Sequence, residues 1–400
     1  MRSLQPGRVA VIGGGPAGAH CARRLGEGGV QVTLFEHRTR FEKPCGGGIP
    51  GRGLTRYPFL DDARLPARLL RQCTLIAPSG RECNITLTEP LYILRRGDLH
   101  ERLLARARES GVTVRQERVT RSRATTQTPG AGRPAWTLDT IDADGRGETR
   151  GPFDFLVAAD GAAGGTWRRL GVAHPADRPS QGIGYYLPGL PEERVVLRFH
   201  AALRGYLWVF PRLDHASVGI CAPLGDRPAR QLRSLVDSFL TERYGGGWRN
   251  GAVCYAALIP DAPLRSMAGR LQGDAWAVIG DAANTVDPLT REGIYYALVS
   301  ADLLADALLS GRPDDYAVQW TDRIGREFSR AARHAGGFYG ARFLERLVAL
   351  CAGSPAIRQV MSDLIAGRQP YVGLRRRLLR AAPAVAWDLV AGRLKPSHDS

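Results

Sequence analysis

The sequence predicts an α/β fold that carries an inserted β-rich lobe and ends in a helical C-terminal region. Residues 8–12 form a short apolar run ending in three glycines, residues 16–28 have helical character, and residues 31–35 form a second apolar run. This strand–helix–strand opening is typical of a parallel sheet covered by helices. Short strand-like runs recur over residues 181–270, and an apolar strand at 275–279 returns to the pattern of the first part.

The composition is that of a globular protein with a strong excess of arginine. Of the 400 residues, 44% are hydrophobic and 24% charged, and the formal net charge is +16. Lys43 and Lys395 are the only lysines. The arginine excess has two interpretations: the bias of a GC-rich genome, or attraction to an anionic partner such as a phosphate-bearing substrate or a membrane face. No base-reading or stacking motif accompanies the charge, so we expect no nucleic-acid partner.

The cysteine pattern and the absence of long apolar runs bear on the compartment. The seven cysteines are odd in number and have no CxxC spacing, so they indicate neither a disulfide framework nor a metal site. Reduced thiols are typical of the cytosol. No leader-like start and no apolar run of about 18–20 residues is found. We expect a cytoplasmic protein, either soluble or peripheral to the inner face of the membrane.

A glycine-rich loop follows the first predicted strand. Gly13 permits a tight turn, Gly15 lets the backbone approach a pyrophosphate, and Gly18 lets the following helix pack closely. The start of that helix offers free N–H groups to phosphates. Glu36 ends the second strand, where it can bind ribose hydroxyls. This pattern predicts a Rossmann-like dinucleotide site formed by Gly13, Gly15, Pro16, Ala17, Gly18, Glu36 and His37.

Two further signatures favour FAD over NAD. Asp160-Gly161 follows one buried strand and Gly280-Asp281 follows another. A carboxylate at a strand end can accept a hydrogen bond from a ribose or ribityl hydroxyl. A helix starting after Gly293 can face the electron-rich edge of a flavin ring. The predicted flavin contacts are Asp160, Gly161, Gly280, Asp281, Pro288, Glu292, Gly293 and Ile294.

With this GxGxxG, DG and GD layout, the chain resembles the flavoprotein monooxygenase-like superfamily and, within it, the geranylgeranyl reductase family. Three segments carry the closer resemblance. Residues 43–50 are similar to the family's KPCGGG segment, residues 205–211 to its YxWxFP motif, and residues 288–294 to its PxxGEGI segment. The resemblance covers about residues 8–310.

The resemblance implies FAD as cofactor and NADPH or NADH as electron donor. It places Cys45, Gly46 and Gly47 beside the flavin, with Cys45 as a proton donor or a substrate-positioning group. The alternative for Cys45 is a small residue selected for fit. Arg96 lies where the superfamily has an arginine near the pyrophosphate and ribityl chain.

The predicted substrate residues lie in the β-rich lobe and in the PxxGEGI-like segment. Alternation puts Tyr206, Trp208 and Phe210 on one face of a strand, as the wall of an apolar cavity or as core of the lobe. Arg198 and His200 are candidates to face a polar head group. Arg291 replaces the family's common glycine and would put a cation near the flavin or the pocket mouth.

We expect three parts in the chain. Residues 1–180 and 270–315 form the discontinuous FAD-binding domain, residues 181–269 the β-rich substrate domain, and residues 316–400 a helical region.

The family's usual serine and arginines are absent after Asp160-Gly161. The substrate could therefore differ from the family's prenyl lipids.

Several functions remain open at this stage. The leading one is reduction of carbon–carbon double bonds in an apolar substrate, such as a prenyl chain or lipid. The alternative is a monooxygenase of secondary metabolism acting through a flavin hydroperoxide. A halogenase would need a lysine, and only Lys43 and Lys395 exist. A non-catalytic electron relay is disfavoured because no cysteine cluster for an iron–sulfur centre is found.

The sequence pattern also bears on how the flavin would be reduced. No second GxGxxG marks a nicotinamide domain, so the flavin would be reduced by a transiently docked nicotinamide or by an electron-donor protein.

The tail at 372–395 mixes arginines with apolar residues. It either lies on an anionic membrane or forms a solvated helical face.

Overall fold

The computed structural model describes residues 6–125, 134–172, 179–260 and 271–394, without the side chains of residues 389 and 391–394. The described strands are β1 (Arg8–Ile12), β2 (Gln31–Phe35), β3 (Gly48–Ile49), β4 (Ala67–Ile76), β5 (Glu82–Leu94), β6 (Thr113–Arg115), β7 (Arg118–Thr125), β8 (Ala135–Ile141), β9 (Gly147–Phe153), β10 (Phe155–Ala158), β11 (Ser180–Pro188), β12 (Val195–Phe199), β13 (Tyr206–Pro211), β14 (His215–Pro223), β15 (Val253–Ile259), β16 (Gln272–Gly273) and β17 (Trp276–Val278). The described α-helices are α1 (Pro16–Glu27), α2 (Gly51–Arg56), α3 (Arg96–Glu109), α4 (Thr166–Arg169), α5 (Ala229–Tyr244), α6 (Ile294–Leu309), α7 (Asp315–Trp320), α8 (Arg326–Phe338), α9 (Ala341–Gly353), α10 (Pro355–Ile365) and α11 (Leu374–Leu394).

The chain divides into two compact units. The first unit comprises Met1–Lys43, Arg96–Pro179 and Leu258–Ser329; the second comprises Pro44–Arg95, Ser180–Ala257 and Arg330–Ser400. This division differs from the predicted boundaries at residues 44–95 and at the predicted third part, 316–400, which is shared between the first unit (to Ser329) and the second (from Arg330). Strands β4 and β5, within residues 44–95, join the sheet of the β-rich lobe, because β4 pairs in parallel with β12.

The first unit is built on a six-stranded sheet in the order β16-β17-β10-β1-β2-β6. Strands β17, β10, β1, β2 and β6 run parallel, and only β16 is antiparallel to its neighbour. The three-stranded sheet β7-β8-β9 packs on one face, where Ala10, Ile12 and Leu156 meet Trp136 and Leu138. By strand alternation, Val9 and Val11 lie on the opposite face.

The buried strand predicted before Asp160-Gly161 begins after Asp154. β9 ends at Phe153 and β10 begins at Phe155. The Asp154 carboxylate accepts a hydrogen bond of 2.7 Å from the backbone N–H of Arg8, at the start of β1. The buried part of the predicted strand is therefore β10, which lies next to β1 in the parallel sheet.

The second unit is built on an eight-stranded sheet in the order β15-β11-β14-β13-β12-β4-β5-β3. Helix α5 covers one face, where Val236 and Phe239 pack against Leu207, Val209 and their neighbours. Helices α9 and α10 cover β4 and β5 through a cluster that includes Val348 and Ile85. In the described part of the chain, no helix is both long and apolar enough to cross a membrane.

Candidate functional site

The glycines of the first loop adopt the geometry expected of a dinucleotide turn. Gly13 has a φ of +103°, and a Cβ on it would lie 2.4 Å from the Ala159 carbonyl oxygen. A Cβ on Gly18 would lie 1.9 Å from the Gly13 oxygen, which explains how closely α1 packs on β1. A Cβ on Gly15 would meet nothing within 4 Å. Space is therefore open at the start of α1, where backbone N–H groups have no helical partner.

Glu36 follows β2 and is oriented by backbone groups. Its Oε2 accepts from the Gly14 N–H at 2.8 Å and its Oε1 from the Arg38 N–H at 3.0 Å. Its side chain is 12% exposed. His37 is largely exposed, with Nδ1 3.3 Å from Glu36. A carboxylate has about four acceptor positions, so Glu36 can still accept from a ribose.

Arg96 begins α3, and Glu42 caps this helix. The Glu42 carboxylate accepts from the backbone N–H groups of Arg96 at 3.1 Å and Gly97 at 2.6 Å. The Arg96 side chain is buried, and its Nε has no hydrogen-bond partner among the described residues. A buried guanidinium donor without a partner is costly unless a ligand accepts from it. The capping role of Glu42 was not predicted.

Asp160 follows β10, and only one of its oxygens is used within the described chain. Oδ2 accepts from the Thr166 N–H at 2.9 Å, whereas Oδ1 is buried and has no partner among the described residues. Gly161 has a φ of +78°, and a Cβ there would meet nothing within 4 Å. A free buried carboxylate oxygen beside open space suits a ligand hydroxyl.

Asp281 follows β17 and pairs with Lys43. The Lys43 Nζ lies 2.5 Å from its Oδ2, and the Asp281 side chain is 16% exposed. A Cβ on Gly280 would lie 2.6 Å from the Ala17 side chain, so the GD turn packs closely on α1. Lys43 is thus in an ion pair, and Lys395 lies outside the described residues. The partnership of Lys43 with Asp281 was not predicted.

The turn before α6 is held by Asp287. Its buried carboxylate accepts from the N–H groups of Leu289 at 2.8 Å and Thr290 at 3.0 Å. Arg291 has a φ of +59°, in the left-handed region where glycine is favoured. Gly293 is the N-cap of α6, with Pro288 and Glu292 in the turn before it and Ile294 as the first helical residue. The role of Asp287 was not predicted.

These residues fit a bound dinucleotide. The carboxyl ends of parallel strands lie at one edge of a sheet, so the loops after β1, β2, β10 and β17 come together. This edge offers a glycine cradle at Gly13–Gly18, carboxylate acceptors for hydroxyl groups and the unpartnered Arg96 Nε. The fold and this set of residues are those expected of a dinucleotide-binding protein.

In the second unit, the CGGG loop packs on the sheet. Gly47 has a φ of +80°, and its oxygen accepts from the Leu94 N–H at 3.1 Å. A Cβ on Gly46 would lie 2.4 Å from the Phe210 ring. The Cys45 Sγ lies 3.3 Å from the Gly47 nitrogen, and the thiol is half-buried. Only glycine allows the loop to lie this close to β5 and β13.

Polar side chains surround the Cys45 carbonyl oxygen. It accepts from Arg212 at 2.7 Å and from Ser217 at 3.0 Å. The Ser217 and Tyr255 hydroxyl oxygens are 3.0 Å apart, and the Tyr186 and Tyr255 rings are 4.6 Å apart. Burial raises the pKa of the Tyr255 hydroxyl, which therefore stays protonated. Neither the two donors, Arg212 and Ser217, nor the two tyrosines beyond them were predicted, because all four are far from Cys45 in sequence.

The three predicted aromatic residues lie on one face of β13. Leu207 and Val209, which alternate with them, pack under α5, so the aromatic rings lie on the other face. The Tyr206 and Trp208 rings are 6.1 Å apart, and Phe210 contacts the CGGG loop. This face also carries Gly219, whose missing side chain leaves space for Trp208.

Arg198 and His200 are not brought together with the aromatic residues. Arg198 pairs with Glu242 of α5 at 3.1 Å and lies over the Phe239 ring, which puts it on the α5 face. His200 follows the last residue of β12, where Arg198, Arg227 and Glu242 are the charged groups that act on it. Burial, together with Arg198 and Arg227, lowers the pKa of the His200 imidazole to about 4. At neutral pH His200 is uncharged.

Comparisons with known proteins identify close families. Residues 7–71 match the model of the pyridine nucleotide-disulphide oxidoreductase family. The geranylgeranyl diphosphate reductase of Synechocystis sp. is 29% identical over 80% of this chain and 82% of its own length. The digeranylgeranylglycerophospholipid reductase of Methanoculleus marisnigri is 30% identical over 74% of this chain and 75% of its own.

A solved structure has the same fold. A geranylgeranyl bacteriochlorophyll reductase-like protein of Thermoplasma acidophilum superposes with a TM-score of 0.75 at 21% identity, over 93% of this chain and 98% of that one. The sequence relatives narrow the identification from a dinucleotide-binding protein to one family. The chain belongs to the geranylgeranyl reductase family of FAD-dependent oxidoreductases.

Proposed function

We propose that this enzyme reduces carbon–carbon double bonds of a prenyl-type substrate with hydride supplied by reduced FAD. The observation that carries the proposal is the second unit's thiol-bearing CGGG loop, which packs against an aromatic sheet face. The named activities of the sequence relatives, reduction of geranylgeranyl diphosphate and of a digeranylgeranyl lipid, support it. An aromatic face suits an alkene chain, whose binding is driven by apolar burial at about 25 cal/mol per Å².

The chain's own residues divide the chemistry between them. FAD bound at these residues would supply, in its reduced form, a hydride for one alkene carbon. Asp160, Glu36 and Arg96 hold the cofactor through the groups described above, and Gly13–Gly18 lets the backbone approach its pyrophosphate. The Cys45 thiol donates the proton to the other alkene carbon. Tyr206, Trp208 and Phe210 exclude water from the substrate chain.

We further propose NADPH or NADH as the source of electrons, docking transiently on the protein. FAD takes the loop at Gly13–Gly18, which joins β1 to α1; the other match to the GxGxxG spacing, Gly46–Gly51, lies in the CGGG segment of the second unit. A separate electron-donor protein is the alternative. Steady-state turnover with each nicotinamide alone distinguishes the two, because a protein donor predicts no turnover with either.

Exchange of Cys45 tests the proposed proton donor. General acid catalysis contributes at least about 100-fold, so Cys45→Ala should lower kcat for geranylgeranyl diphosphate by about that factor. The FAD content should change little, because the residues proposed above to hold the cofactor, Asp160, Glu36 and Arg96, all lie in the first unit. Cys254→Ala, at an exposed cysteine of the same unit, is the matched control and should keep full kcat. Full kcat in Cys45→Ala would contradict the proposed role.

We propose that α11 rests on an anionic membrane, from which the substrate is drawn. Leu379, Trp387 and Val390 are 65%, 73% and 56% exposed. At 3.6 residues per turn these three lie within about 80° of one another on the outward side. On the inward side, Arg377 pairs with Asp363, and the Asp388 carboxylate accepts a hydrogen bond from the Ser354 hydroxyl.

Charge flanks the apolar stripe of α11. At the same helical spacing, Arg375 lies about 40° to one side of the stripe, Arg380 about 20° beyond its other edge, and Arg376 within it. Exposed tryptophan and flanking arginines are typical of helices that lie in a membrane interface. Each arginine near an anionic surface contributes about 1 kcal/mol.

Vesicle sedimentation tests the membrane proposal. The FAD-loaded enzyme should pellet with vesicles of phosphatidylglycerol and phosphatidylcholine, less with pure phosphatidylcholine, and less at high salt. The double variant Leu379→Ser/Trp387→Ser should lose most of the pelleted fraction. Leu69→Ser removes a leucine that is 55% exposed and lies outside α11, and it is the control. Equal pelleting of the double variant and the parent would overturn the proposal.

A further inference from the structure

The backbone carbonyl of Cys45 is held by two side chains that come from distant parts of the second unit. Arg212 and Ser217 donate to it at 2.7 Å and 3.0 Å, across 167 and 172 positions of sequence. A carbonyl oxygen has two lone pairs. Both acceptor positions of Cys45 are therefore engaged, and neither bond follows from the local course of the loop.

Arg212 is a buried cation in a chain of hydrogen bonds. Its side chain is 2% exposed, and its Nη1 lies 3.1 Å from His215 Nε2. Arginine can only donate, so His215 Nε2 accepts and His215 Nδ1 carries the ring proton. That nitrogen lies 2.8 Å from Asp214, which accepts from Arg95 at 3.1 Å. The chain runs from the exposed Arg95 to the Cys45 carbonyl.

The ring of Tyr186 adds a further contact. The Arg212 guanidinium carbon lies 5.1 Å from the centre of that ring, within the range of a cation–π interaction. A buried charge must be paired or hydrogen-bonded to be tolerated. The groups around Arg212 meet this need, and they fix the direction of its bond to Cys45.

We propose that Arg212 is a positioning residue that sets the orientation and reactivity of the Cys45 thiol. It acts through the Cys45 carbonyl and does not touch the reacting atoms. On its other side the loop packs closely at Gly46 and Gly47, because a side chain on Gly46 would overlap Phe210 and one on Gly47 would overlap the Leu94 carbonyl. The loop therefore has one backbone path while Arg212 holds it. The catalytic meaning of this arrangement rests on the proposed function of Cys45.

Alkylation of Cys45 measures the arrangement without substrate. The FAD-loaded Cys254→Ser enzyme is treated with iodoacetamide between pH 6 and 10, and labelling of the Cys45 peptide is followed by mass spectrometry. A lost bond to a charged donor should change the rate at Cys45 about tenfold in Arg212→Met and shift its pH profile. Arg212→Lys keeps one donor and should restore part of the parent behaviour. The kcat of Arg212→Met should fall with little change in KM.

Two further variants make the outcome decisive. Ser217→Ala removes the other hydrogen-bond donor to the Cys45 carbonyl. It should change the alkylation rate in the same direction as Arg212→Met but by a smaller factor, and it tests the proposal even if Arg212→Met does not fold. Arg204→Met removes an exposed arginine that pairs with Asp226 in the same unit, and should behave as the parent. Parent-like alkylation in Arg212→Met, or in Ser217→Ala if it alone folds, would overturn the inference. Full kcat in Cys45→Ala would instead contradict only the proposed function of the thiol.

Discussion

At the residue scale, Arg291 stands in a position made for glycine. The family-like PxxGEGI segment has arginine here, and its φ of +59° lies in the left-handed region. For an L-residue that conformation costs about 1–2 kcal/mol. The turn persists because Asp287 accepts two backbone N–H groups in it.

The strain at Arg291 can be measured by comparing two substitutions. Arg291→Gly and Arg291→Ala both remove the guanidinium and differ only in the Cβ. The glycine variant should have the higher free energy of unfolding by roughly 0.5 kcal/mol, after the extra freedom of glycine in the unfolded chain is deducted. Urea denaturation of both FAD-loaded proteins checks this. A more stable alanine variant would show that the turn relaxes in solution.

Residue patterns predicted some site groups and missed others for a definite physical reason. The glycines at 13, 15 and 18 are identifiable because backbone geometry demands glycine within six consecutive positions. Glu42 caps α3 from 54 positions away, and Arg212 reaches Cys45 from 167. Such contacts are set by how strands are ordered in a sheet, and no local pattern encodes that order.

At the element scale, α1 and α6 are joined by a buried polar network. Asp302 of α6 lies 2.9 Å from His20 Nε2 and 2.7 Å from Arg24 Nη1, both on α1. Burial lowers the pKa of His20, with Asp302 acting in the opposite direction. Arg24 also reaches Asp306, whose side chain is 54% exposed. These two helices carry the glycine loop and the α6 turn at their first residues.

Asp302 and Asp306 form a matched pair for mutation. Asp302→Ala leaves buried donors unpaired and should lower the free energy of unfolding by about 3 kcal/mol. Asp306→Ala removes an exposed partner of the same arginine and should cost less than about 1 kcal/mol. Thermal unfolding of the FAD-loaded proteins checks both. Equal losses of unfolding free energy in the two variants would show that the buried network stabilises the protein no more than the exposed ion pair does.

The elements themselves followed the sequence pattern closely, except at residues 44–95. The βαβ opening and α6 were both predicted from the sequence pattern. The segment that holds β4 and β5 was included in the FAD-binding part through the predicted range 1–180. The parallel pairing of Thr74 with Val196 moves them into the second sheet, and that pairing joins positions far apart in the chain.

At the scale of the whole molecule, the two units carry separate tasks in the proposed reaction. The first unit offers phosphate- and hydroxyl-binding groups, and the second a thiol loop and an aromatic face. The alternatives of oxygenation and halogenation use the same type of fold. Halogenation needs a lysine, and Lys43 is held in an ion pair with Asp281. The thiol loop favours reduction, because protonation of an alkene carbon requires a proton donor.

A single-turnover experiment tests the reductase proposal most directly. The FAD-loaded enzyme is reduced without oxygen by one equivalent of dithionite and mixed with geranylgeranyl diphosphate. Flavin absorbance and product mass are followed together. We predict that the flavin is reoxidised in step with a product that has gained two hydrogens, with no oxygen incorporated when air is admitted. A flavin that stays reduced beside unchanged substrate, with a product gaining an oxygen atom in air, would contradict the account.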